Sequence, residues 1–280
     1  MYNLDEKIAR ENTISLLSSS IPESLWNANQ DKVLDLKAEL AEHRLFKHDV
    51  IQALNHDSIC LDTLKHIHLE YQNSIVEIFT DALLMAQFQA KQLDKYIYSS
   101  VKMYPRFLLG LNIADEFGFS FETNEGPTPL NSHFCLFKKV LEQLNISSEV
   151  DSNHSYTEES ADLRIYLESA YNNYIKLILL LAVAEQQVIA FSAPLKQAVE
   201  NAGISTQDGY YYVHGTTSDM NTVASDDYHE NDLWLLITHS LHIHSVEDLR
   251  TCALEYCELW DNFWNKMSDC IESTTSIDVV

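Results

Sequence analysis

Apolar side chains recur every three to four positions through most of this chain, the period of an α-helix with one buried face. The clearest stretch runs from Leu61 to Leu93, where Leu64, Ile67, Tyr71, Ile75, Ile78, Phe79 and Leu83 share a face and neither Gly nor Pro intervenes. It predicts one long helix with Asp62 as its N-cap. Val33, Leu36 and Leu40 keep the same spacing and Leu45 falls out of step, so residues 21–55 predict two helices or one broken helix. Residues 4–18 set Leu4, Ile8, Ile14, Leu16 and Leu17 among charges and predict a peripheral helix. A helix over 94–117 should bend at Pro105 and Gly110, and another covers 131–145. The polar stretch 147–159 predicts a linker, and a long helix follows over 160–201, closed by Gly203. Helices over 226–241 and 246–269 complete the pattern, and residues 273–280 should fray.

Composition narrows the class. The chain has 280 residues, 46% hydrophobic content, 6 Gly and 5 Pro, which favours long helices over the many turns of a β protein. The expectation is all-α, with one domain over 21–272 preceded by a peripheral helix at 1–20 and followed by a flexible tail at 273–280. A net charge of −24 argues against nucleic acid, which is bound through clustered Lys and Arg, and against an anionic membrane surface. Five cysteines without a paired spacing predict reduced thiols, with no disulfide framework or thiolate zinc site. The first ten residues carry acidic side chains and no apolar stretch, and the longest strongly apolar run, Leu177–Ala184, is too short to span a bilayer. A cytoplasmic location is the expectation.

Six side chains stand out as metal donors: Glu116, His133, Glu185, His214, Asp226 and His229. Glu185 directly follows the apolar run, where a carboxylate costs several kcal/mol unless a cation or a hydrogen-bonding partner compensates it. Asp226 and His229 stand i, i+3, which puts a carboxylate and an imidazole on one helical face. Glu116 closes a mostly apolar helix beside a rival acid, Asp115; His133 opens a helix; His214 follows three tyrosines. Each also has a plainer reading, as a solvated helix end or a paired core acid. His239, His242 and His244 read as a helix C-terminus assisting the dipole, and Glu70 with Glu77 as a solvated face. Phosphate-binding glycine loops, a GxSxG elbow and an HExxH zinc helix are missing from the sequence.

Five patches, in order, resemble the heme-oxygenase-like diiron oxidases, also labelled iron-containing redox enzymes. They are Arg106-Phe-Leu-Leu-Gly-Leu-Asn-Ile-Ala-Asp-Glu-Phe-Gly118, His133-Phe-Cys-Leu-Phe, Ala184-Glu-Gln-Gln-Val188, Tyr211-Tyr-Val-His214 and Asp226-Asp-Tyr-His-Glu-Asn-Asp-Leu-Trp234. The resemblance implies a heme-oxygenase-like helical bundle, related in fold to heme oxygenase and thiaminase II. It also implies Glu116, His133, Glu185, His214, Asp226 and His229 as ligands of two iron ions, with manganese as an alternative metal. Asp219 and Asp227 compete with Asp226, because the family's His-x-x-x-Asp-x-x-His helix is interrupted here after His214. The implied activity is oxidation of a small organic substrate with O2 and an external reductant, by N-oxygenation or oxidative C–C cleavage. Glu116 and Glu185 would be catalytic, and Arg106 would orient a substrate carboxylate. A homodimer is one expected assembly. Two other expectations stand beside this one: a cofactorless or single-metal oxidase or hydrolase on the same fold, and a non-enzymatic acidic helical protein binding a basic partner.

Overall fold

The computed structural model describes residues 6–56, 59–119, 128–206, 209–213, 225–241 and 243–275. Among these the regular structure is entirely helical, as the apolar period predicts. The helices are α1 (Glu6–Ser19), α2 (Glu23–Ala41), α3 (Val50–His56), α4 (Leu61–Tyr71), α5 (Glu77–Gln89), α6 (Met103–Glu116) and α7 (His133–Gln143). They continue with α8 (Ser148–Ser152), α9 (Glu158–Ser169), α10 (Tyr174–Asn201), α11 (Tyr210–Val213), α12 (Ser225–Ser240) and α13 (Val246–Thr275).

α10 is the axis of the bundle and packs against α3, α5, α12 and α13. Every residue from Leu177 to Glu185 is buried, so the run that looked too short for a membrane span belongs to a longer apolar helix whose surface the other helices cover. Its far end meets an aromatic layer in which Phe191 and Trp264 stack with ring centroids 4.2 Å apart. Stacked rings of this size dominate a core through the area they remove from water.

Several boundaries differ from the sequence pattern, each for a local reason. The long helix of residues 160–201 is two helices, because Asn173 leaves helical geometry and its side chain caps α10 by accepting from the Lys176 backbone N–H at 3.1 Å. The polar linker contains α8, capped by Ser147 through the Val150 N–H. The cap of α4 is Cys60, whose Sγ accepts from Thr63 N at 3.4 Å; Asp62 sits in the first turn instead. Pro105 does not bend α6. It occupies the first turn, where a missing N–H leaves no helical bond unmade. Residues 94–102 are 3-10 and turn structure ahead of that helix. α13 continues through Ser273–Thr275, which the sequence pattern assigns to the tail; residues 276–280 lie outside the described set. Gly203 closes α10 with φ +83°, as expected.

The predicted helix over Leu61–Leu93 is interrupted midway. α4 and α5 form a single rod joined by a π-helical turn, Gln72–Val76. The side chains that occupy the carbonyls there are Ser74, whose Oγ donates to Glu70 O at 3.0 Å, and Ser160 on α9, which donates to the same oxygen at 2.9 Å.

Candidate metal centre

Four helices bring the charged candidates inward. α6 ends with Asn112, Asp115 and Glu116, α7 opens with His133, the middle of α10 carries Glu185, and α12 carries His229. All six side chains are buried. They form an alternating series of carboxylates and imidazoles. His133 Nδ1 lies 3.0 Å from Glu116 Oε1, and its Nε2 lies 4.0 Å from Asp115 Oδ2. His229 Nε2 lies 3.6 Å from the same Asp115 oxygen, and its Nδ1 lies 3.9 Å from Glu185 Oε1. Asn112 Nδ2 donates to Glu185 Oε1 at 3.3 Å.

Local packing explains how two neighbours in sequence both face inward. Asp115 and Glu116 occupy the last turn of α6, and the chain then reverses through Gly118 at φ +77°. A Cβ on Gly118 would stand 2.3 Å from Asn131 O, so only glycine lets the end of α6 approach the turn that launches α7. That approach delivers His133 to Glu116. On the other side, Gln186 Nε2 donates to Glu230 Oε1 at 3.0 Å, while Trp234 Nε1 and Lys37 Nζ reach the same oxygen at 2.7 and 3.0 Å. Gln186 and Glu230 are the sequence neighbours of Glu185 and His229, so this clasp sets the register between the two.

The donor set suits a hard or borderline cation. Asp115 Oδ2 is buried and has no hydrogen-bond partner among the described residues, and 3.6 and 4.0 Å are too long for hydrogen bonds to the two imidazoles. Donor atoms 3–4 Å apart are what two ligands of one ion with bonds of about 2.0–2.2 Å require. Beside these groups opens a pocket that Glu116, His133 and Glu185 line together with Ile75, Val76, Phe79, Val188 and Tyr210. Charged donors at one wall and apolar side chains elsewhere are the usual composition of a small-molecule site.

The other predicted site residues fare differently. His214 and Asp219 lie outside the described residues. Asp226 and Asp227 fall in the first turn of α12, with side chains outside the described set. Arg106 is not at the pocket: its Nε and Nη2 donate to Gln87 O and Phe88 O, at 3.0 and 3.4 Å, and so cap the C-terminal end of α5. Glu70, solvated by the sequence pattern, is fully buried, whereas Glu77 pairs with Arg164 at 2.7 Å near the surface. His239 lies in the last turn of α12, as the sequence predicts, and is buried there, 3.0 Å from Ser20 Oγ.

A neutral network behind the centre escapes sequence reasoning. Tyr71 donates to Gln187 Oε1 at 3.2 Å, and the Tyr211 hydroxyl lies 2.7 Å from His68 Nε2. His68 Nδ1 stands 2.8 Å from Leu64 O, which fixes the proton on Nδ1 and leaves Nε2 to accept. Burial pushes the imidazole down to about 4, so it is uncharged near neutrality. The signal for this network is faint: polar residues inside apolar helices, one of them two positions beyond Glu185.

No protein-family model and no curated protein matches this chain. Among solved structures it is similar to a tena-like thiaminase from Sulfolobus solfataricus P2, with a TM-score of 0.51 and 12% identity over 85% of this chain and 95% of that one. At that identity the likeness speaks for architecture alone: the chain is an all-α bundle with the fold of that tena-like protein.

Proposed function

We propose that this chain is an enzyme that oxidises a small organic molecule with O2 at a non-heme metal centre held by Glu116, His133, Glu185 and His229, with two iron ions as the cofactor. The observation that carries the reading is the buried alternation of three carboxylates and two imidazoles around Asp115 Oδ2, which has no hydrogen-bond partner among the described residues. Asp115 would join the set as a further carboxylate ligand, with His214 and Asp226 added by the resemblance. Iron bound there would supply O2 activation, with electrons from an external reductant.

The chain's own residues have definable tasks. Glu116 Oε1 and His133 Nδ1 stand 3.0 Å apart, close enough to serve one ion together. Asn112 orients Glu185. Ile75, Val76, Phe79 and Val188 give the pocket an apolar wall, which favours a substrate with an apolar body.

The likeness to a thiaminase favours a second reading more directly than it favours oxygen chemistry: hydrolysis on the same fold. In that case the Glu116–His133 pair is the general base that activates water. One experiment separates the two. Chelator-treated protein is titrated anaerobically with Fe(II) and exposed to O2 while visible absorption and O2 uptake are followed. The oxidase reading requires binding of iron and a transient absorption; Glu185→Ala should lose at least one iron with unchanged helical circular dichroism. Protein that binds no iron, takes up no O2 and keeps its turnover in chelator is a hydrolase.

A further inference from the structure

We propose a second, separate metal site of the zinc class, formed by His66 and Glu70 on α4 and His154 just beyond α8. One ligand atom from each lies within 4.8 Å of the other two. Glu70 Oε1 is 2.7 Å from His154 Nε2 and 3.7 Å from His66 Nδ1. Two donors of a tetrahedral ion with bonds near 2.0–2.1 Å stand about 3.3 Å apart. The two separations to Glu70 straddle that value, and the His66–His154 pair, within 4.8 Å, closes toward it when the two rings turn onto one ion.

The carboxylate is prepared for this role. Glu70 is fully buried, and its second oxygen, Oε2, accepts from the Thr157 N–H at 3.0 Å and from the Thr157 hydroxyl at 2.8 Å. Oε1 is left to the imidazoles. Bonds of this kind behind a ligand fix its orientation. Among the described residues, the ion-pair partners of Glu70 are His66 and His154, so its buried Oε1 faces two ring nitrogens of the kind that ligate a divalent cation together with a carboxylate. His66 and His154 keep an edge toward solvent, with side chains 29% and 16% exposed, which provides the entry path. Lys266 stands near enough to His66 to oppose a cation there, so the affinity is set by the ligands winning over that repulsion.

The site ties the α4 rod to the N-terminus of α9, because Thr157 is the cap residue of α9. An ion bound only in the folded state stabilises it. None of the three residues belongs to the pocket lined by Glu116, His133 and Glu185, so this proposal stands or falls independently of the oxidase reading.

The test is Co(II) and Zn(II) titration of chelator-treated full-length protein, with metal stoichiometry, cobalt absorption and melting temperature as readouts. His66→Ala leaves the Glu70–His154–Thr157 hydrogen bonds in place and should fold normally. It is expected to bind one equivalent fewer than the unaltered chain and to lose the zinc-dependent rise in melting temperature, as should His154→Ala. Glu185→Ala is expected to keep that equivalent. Stoichiometry and melting shift unchanged in both histidine variants would overturn the proposal, and so would loss of the same equivalent in Glu185→Ala alone.

Discussion

Glu230 shows how much a single side chain can decide. It is neither a donor to the centre nor part of the pocket, yet it gathers Lys37, Gln186 and Trp234 onto one oxygen and so aligns the helices carrying Glu185 and His229. Glu230→Ala is expected to cost about 1–3 kcal/mol in urea unfolding, since three donors lose their acceptor. If the centre holds iron, the variant should also bind it about 10–100-fold more weakly, the usual effect of removing support behind ligands; unchanged affinity would separate the clasp from the centre. Residues of this kind are hard to see in a sequence. Glu185 is legible because it interrupts an apolar run, and the Asp226/His229 spacing singles out His229. Glu230 sits among other polar residues and carries no such contrast. Asp115 stands out only as a rival of Glu116, because spacing alone does not say that the last turn of a helix can point two adjacent acids inward. Glu70 has the local pattern of a solvated residue, while the groups that bury it, His154, Thr157 and Ser160, come from about ninety residues away.

At the level of elements, helix existence follows from apolar spacing and helix ends from capping chemistry. The ends are less legible. An Asn173 side chain that caps α10 looks like any other polar residue until the backbone before it leaves the helix. The join between α6 and α7 is the element on which the centre depends most. Gly118→Ala places a Cβ in the left-handed region and against Asn131 O, so it should destabilise the chain by more than about 1 kcal/mol. It should also move His133 away from Glu116, since the turn that launches α7 must retreat. Thermal unfolding together with Fe(II) titration checks this; a variant with wild-type melting and wild-type binding would show that the close approach is not needed.

The whole molecule is closed by contacts between distant parts of the chain. α1 lies against α6 and α12, and buried Arg10 donates from Nε to Asp232 Oδ2 at 2.8 Å. Truncation to Arg10→Ala leaves a buried carboxylate alone and should cost about 3–5 kcal/mol, whereas replacing both partners with apolar residues, Arg10→Met with Asp232→Leu, should be close to neutral. Chemical denaturation of the three proteins decides it. Apolar period and composition lead to the all-α bundle, but this pairing across 222 positions has no trace in local pattern. The π-helical turn at Gln72–Val76 sets the aim of everything on either side of it. Such a turn holds one residue more than an α-helix needs, and each residue turns a helix by about 100°. The α4–α5 rod therefore runs in two angular phases: Glu70, before the turn, looks toward His154 and Thr157, and Phe79, after it, looks into the pocket. Deleting one residue within the turn would restore a regular helix and still leave only one of those two aims satisfied. A straighter rod would be the poorer protein, and the added residue works as a phase shifter that lets one helix serve two rooms.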